Sequence, residues 1–314
     1  MAWISVSCPQ CGAPLPRVAI WRTVKCGSCG ALITRTESVV SRDTFRQALA
    51  RARHQSARSG QSIECAGERY QLGELLGGGE ISQVFRAQRL GALPLLATVK
   101  LSSAPAAASR YAREAQVLRE LQALGGGGDG AYFSQRLPEV MAQGAVEGTQ
   151  DRHALVLRHP NGFWGSLASL NERYPQGLDS RHAVWIWRRL LEILGFIHRQ
   201  GWAHGDVRPE HALVHPQDHG IRLIGWASAQ GDARATLQAA DLVRSARLVS
   251  VLLIGAGETD AIPGHVPTGL AQLVTRAGQD EQFCREQGAA GLDGRLQAAA
   301  RAAFGPPAFV SLAV

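Results

Sequence analysis

The chain has 314 residues, 45% of them hydrophobic and 19% charged, enough for one large domain and a small one with a sizeable core. No apolar run is long enough to cross a bilayer, and the N-terminus lacks the basic-then-apolar pattern of a signal peptide, so a soluble cytoplasmic protein is expected. The net charge of +7 is almost all arginine, with Lys25 and Lys100 the only lysines, so the basicity reads as a solvated Arg-rich surface before it reads as a nucleic-acid face.

Residues 1–40 carry Cys8 and Cys11 in CPQCG and Cys26 and Cys29 in CGSCG, with fourteen residues between the pairs, including the strand-like RVAIWRTV. Each Cys-x-x-Cys turn lets two thiolates face one ion, and two such turns complete a tetrahedral four-sulfur shell. The spacing resembles a zinc ribbon. A structural zinc is expected, because four thiolates leave no position for water, and its binding decides whether so small a unit folds. Cys65 and Cys284 stand alone and read as reduced thiols. Residues 41–66 follow as a linker, its first part a polar, basic helix with Ser41 or Asp43 as cap and Gly60 beyond its end.

From residue 67 the pattern changes. RYQLGELLGGGEISQVFRAQRL predicts a β-hairpin, LPLLATVKLS a buried strand, and SRYAREAQVLRELQAL a helix with Tyr111, Ala115, Leu118 and Leu121 near one face. GGGGDG at 125–130 reads as a flexible loop. Strands are predicted at EVMAQGAVE and RHALVLRH, then a long helix, SRHAVWIWRRLLEILGFIHRQ, stopped by Gly201. The remainder is mainly helical, apart from a hairpin at ALVHPQDHGIRLI. The expected fold is α+β: a small β-rich part over 67–158 and a larger helical part over 159–314.

This order and its motifs resemble the protein kinase superfamily. LGGGEISQVF matches the glycine loop, with Gly77 and Gly79 at the first two glycine positions, Ser82 at the third and Val84 two residues on. Lys100 ends ATVK on the third strand of the resemblance, and Glu114 lies on the next helix where its partner glutamate falls. HGDVRPEH supplies His204, Asp206 and Arg208. The resemblance implies a bilobal kinase-like fold, ATP contact through Gly77, Gly79, Ser82, Val84, Lys100 and Glu114, and Asp206 as the proton acceptor.

The departures bear on function. His211 stands where the resemblance places a metal-binding Asn, and Gly225, in GWA, where it places the principal metal-binding aspartate. Magnesium prefers oxygen ligands; glycine offers no side chain, and imidazole suits other metals. Gly205 replaces an Arg. Only sixteen positions separate Gly225 from Asp241, which leaves no room for a long activation segment. His198, His204, His211, His215 and His219 crowd this stretch, with His211 and His215 on one face of the predicted strand, which offers a transition-metal site as a minor reading.

The expected function is a pseudokinase with a regulatory or scaffolding role that retains the means to hold ATP, without the ligands for Mg²⁺. The alternative is an unorthodox Ser/Thr kinase or nucleotide transferase using Asp206, with His211 or Glu210 supporting a metal. A third reading is a zinc-ribbon nucleic-acid adaptor. A ribbon joined to a degenerate kinase-like domain also resembles bacterial stress-response modules, which implies PP2C-type phosphatases and von Willebrand factor A-type proteins as partners.

Overall fold

The computed structural model describes residues 24–25, 32–33, 61–79, 81–91, 94–124, 133, 136–256 and 261–314. The linker helix over 41–60, the loop at 125–130 and all four paired cysteines lie outside the described residues. Strands β1 (Val24–Lys25) and β2 (Leu32–Ile33) pair antiparallel, Val24 opposite Ile33.

Beyond these, the described residues divide into two compact units, one ending at Asn161 and one beginning at Gly162. The first is a six-stranded antiparallel sheet and one long helix. Its strands are β3 (Ser62–Cys65), β4 (Glu68–Gly78), β5 (Gln83–Arg89), β6 (Leu95–Ser102), β7 (Val140–Ala145) and β8 (His153–Arg158), in the order β3-β4-β5-β6-β8-β7. A bridge between Cys65 and Val146, with the Glu147 amide donating to the Glu64 carbonyl at 2.9 Å, joins the first strand to the end of the last. That closure covers sheet edges that would otherwise present unpaired backbone groups.

Strand alternation builds the interior. Ala97, Val99 and Leu101 of β6 are buried with Ile63, Tyr70, Leu72, Ala142 and Val156, while Lys100 points to the opposite face. Helix α1 (Ala107–Ala123) buries Tyr111, Ala115, Val117, Leu118 and Leu121, the stripe expected at helical spacing, and Glu114 lies within it. β3 corrects the predicted linker: residues 62–65 are a strand because Ile63 and Cys65 alternate into the core.

The second unit is mainly helical: β9 (Gly165–Ser166), α2 (Leu167–Arg173), α3 (Ser180–Arg199), β10 (Ala212–His215), β11 (Gly220–Leu223), α4 (Ala235–Ile254), α5 (Thr268–Gln279) and α6 (Glu281–Phe304), the last broken at Gly288. Asp179 caps α3 by accepting the Arg181 amide at 2.7 Å. Trp187 Nε1 donates to Ser245 Oγ at 3.1 Å, so α3 and α4 share a buried polar contact within an apolar interface. Strands β11, β10 and β9 form a small antiparallel sheet in that order. Among the described residues, no helix is long and apolar enough to cross a membrane.

Candidate functional site

In the β-rich unit, register gathers the predicted residues. Val84 lies opposite Gly77 on one side and Lys100 on the other, so the glycine hairpin, Val84 and Lys100 form one cross-strand row. Lys100 Nζ donates to both Glu114 carboxylate oxygens, at 2.7 and 2.8 Å. The pair is largely buried, with side chains 15% and 4% exposed. Glu114 sits in an apolar helix stripe and tolerates burial because the ammonium neutralises it.

The hairpin tip is held down. The Gly79 amide donates to the Ser82 carbonyl at 2.8 Å. Tyr111 OH donates to Ser82 Oγ at 2.7 Å, and Ser102 Oγ donates to the Ile81 carbonyl. Burial pushes the Tyr111 phenol up, which keeps it a donor. Thus the residue at the third glycine position is tied to the helix that carries Glu114. The sequence gives no sign of this, because Tyr111 reads as one more apolar-face residue. Gly73 is closely packed: a Cβ there would meet the Arg86 carbonyl at 3.1 Å. At Gly77 and Gly79 an added Cβ would meet nothing within 4 Å, and neither has positive φ. The fold itself therefore does not require glycine at those two positions. An open hollow of about 420 Å³ beside the tip is lined by Gly78, Gly79, Ser82, Ser102, Ala104 and Arg152, among others. Lys100 is not in its lining, so the hollow is distinct from the ion pair.

In the helical unit, buried Asp241 of α4 organises the loop at 203–206. It accepts the His204 amide at 2.7 Å and the Gly205 amide at 2.9 Å, and His198 Nε2 lies 3.3 Å away. His204 Nδ1 accepts the Asp206 amide at 3.2 Å, which leaves Nε2 as the donor to the Ile224 carbonyl at 3.1 Å. Its ring meets Trp226 edge-on, with centroids 4.5 Å apart. Burial pushes its pKa down to about 4, against the opposing pull of Asp241, so it is neutral at pH 7. The other crowded histidines are also accounted for. His219 is buried, stacked between Trp185 and Phe309, and bonded through Nε2 to the Val310 carbonyl at 2.6 Å. His215 packs its ring against Gly162 and Phe163.

Gly205 has φ +81, and a Cβ there would come within 2.6 Å of the Ser228 carbonyl. Ala203 and Gln230 exchange backbone hydrogen bonds, both 2.9 Å. The short segment after Gly225 is therefore paired onto this loop, and Gly205 is the residue that lets it approach.

His211 and Gly225 meet. The predicted strand face shared by His211 and His215 is not formed: His211 ends a 3-10 turn, Pro209–His211, and β10 begins after it. The turn aims the ring at Gly225, which is left-handed at φ +80. His211 Nδ1 lies 3.0 Å from the Asp206 carbonyl and 3.2 Å from its Oδ2. Arg208 Nη2 is 3.2 Å from Nε2. Among the described residues, no three His, Cys, Asp or Glu side chains are grouped to hold a metal ion.

No protein-family model matches the chain. Citron rho-interacting kinase of Rattus norvegicus is 31% identical over 80 residues, 26% of this chain and 4% of that protein. CBL-interacting protein kinase 22 of Oryza sativa subsp. japonica is 30% identical over 186 residues, 55% of this chain and 39% of that protein. A solved kinase domain superposes with a TM-score of 0.50 at 14% identity, covering 66% of this chain and 71% of its own. The chain is protein-kinase-like. The kinase-like chain spans well under half the length of these two curated relatives.

Proposed function

We propose that this kinase-like chain is a pseudokinase: it binds ATP at its β-rich unit and acts through protein contacts, without efficient phosphoryl transfer. One observation carries the reading. Gly225 supplies no carboxylate, and its α-carbon is covered by the His211 ring, so the residues present do not fit Mg²⁺. Phosphoryl transfer depends on positioning and charge neutralisation, and a single contact to transition-state charge is worth about 2.7–4 kcal/mol. Loss of both metal ligands therefore slows transfer by orders of magnitude.

Nucleotide binding is supported by the buried Lys100–Glu114 pair and by glycines at 77 and 79 that the fold does not need, leaving close approach of a ligand as their use. Cys8, Cys11, Cys26 and Cys29 suit a structural zinc ion, four thiolates closing its coordination. A zinc ribbon joined in sequence to a degenerate kinase-like domain resembles bacterial stress-response modules, and on that resemblance PP2C-type phosphatases and von Willebrand factor A-type proteins are the proposed partners.

The test is incubation of the purified full chain with labelled ATP and Mg²⁺ or Mn²⁺, for wild type and Asp206→Asn, alongside thermal shift with ATP for wild type and Lys100→Ala. The expected result is no Asp206-dependent label, with an ATP-induced shift that Lys100→Ala abolishes. Asp206-dependent incorporation would instead support an unorthodox kinase, a reading favoured by one feature: the Asp206 side chain is 34% exposed.

A further inference from the structure

The two departures from a metal-binding pattern, at 211 and 225, occupy the same space. A Cβ built on Gly225 falls 2.7 Å from His211 Cε1 and Nδ1 and 2.8 Å from Nε2. These are distances at which one of the two groups must move. The ring is not free to yield. Its backbone is fixed by the His211 amide donating to the Arg208 carbonyl at 3.0 Å and by the Ile224 amide donating to the His211 carbonyl at 2.9 Å. Arg208 can only donate, so Nε2 accepts from it and Nδ1 must carry the proton. That N–H is shared between the Asp206 carbonyl and carboxylate.

We propose that His211 is a positioning residue and, with Gly225, forms a single lock. The imidazole fills the volume of any side chain at 225 and holds Asp206 through Nδ1–H, so a carboxylate cannot be regained at 225 while His211 remains. This deepens the pseudokinase reading: the loop is closed to a metal ligand by an occupied space as well as by a missing group. The departure at 225 is therefore not reversible while the imidazole stays in place. The left-handed backbone at 225 is one that Asp tolerates better than most residues, so the obstacle to Gly225→Asp is chiefly the ring.

The test is a double-mutant cycle of thermal unfolding on the full chain: wild type, His211→Asn, Gly225→Asp and the double variant. Gly225→Asp is expected to lower Tm by roughly 5 °C or more in wild type and by no more than about 2 °C in the His211→Asn background. An equal loss in both backgrounds overturns the lock. Side-chain ¹⁵N NMR of wild type supplies a measurement that needs no variant to fold. It should show the His211 tautomer protonated at Nδ1; a ring protonated at Nε2 or at both nitrogens overturns the proposal. Transfer activity in wild type would sink the pseudokinase reading without altering the cycle, and an additive cycle would sink the lock while wild type stayed inactive.

Discussion

Asp241→Asn is the sharpest test of how the helical unit is held. The carboxylate is fully buried and takes one backbone N–H on each oxygen, at 2.7 Å from His204 and 2.9 Å from Gly205. Asparagine keeps the shape but offers one carbonyl, so one amide faces an NH₂ group. A hydrogen bond to an ionised group contributes about 1.5–3 kcal/mol, and a buried donor left unpaired costs about 1–3 kcal/mol. Relief of the carboxylate's own desolvation offsets part of this. The net loss is about 3 kcal/mol, which at an m-value of about 2 kcal/mol/M moves the urea midpoint down by about 1.5 M. Tryptophan fluorescence is the assay, because Trp164, Trp185, Trp187, Trp202 and Trp226 all lie in this unit. Asp218→Asn, at an exposed site, is the control and should shift stability by less than about 0.5 kcal/mol. A midpoint change for Asp241→Asn no larger than the control's would refute the view that this carboxylate fixes the loop.

Three further outcomes are expected. Lys100→Met strands Glu114 in an apolar stripe and should cost about 3–5 kcal/mol, whereas Lys100→Met/Glu114→Met should cost markedly less; denaturant unfolding of both variants decides. Tyr111→Phe removes the bond to Ser82 and should cost about 1 kcal/mol while raising hydrogen exchange of amides 77–84 above that of β8. Burial pushes His204 down to about 4 and His219 to about 3, from an ordinary 6.5. The unfolded chain therefore takes up protons that the fold refuses, so stability is full above about pH 6.5 and falls as pH drops towards 4, by about 3 kcal/mol from His204 alone. NMR titration should find both imidazoles neutral down to pH 5; a midpoint near 6.5 for either would contradict the burial.

The local features were legible from neighbouring residues alone. The glycine hairpin, the alternation of β6 and the apolar stripe of α1 each follow from a few adjacent residues, and that stripe already contains Glu114 as a charge in need of a partner. The remaining features arise from packing between distant segments. Strand β3 has only Ile63 and Cys65 as apolar signal, and it gains its meaning from Val146, some eighty residues away. Tyr111 and Ser82 are twenty-nine residues apart and carry no shared motif. In the sequence His211 and Gly225 are two separate losses of metal ligands. They become one feature only when a 3-10 turn rotates the imidazole onto the bare α-carbon, because side-chain direction is set by backbone conformation and by which atoms already fill the space.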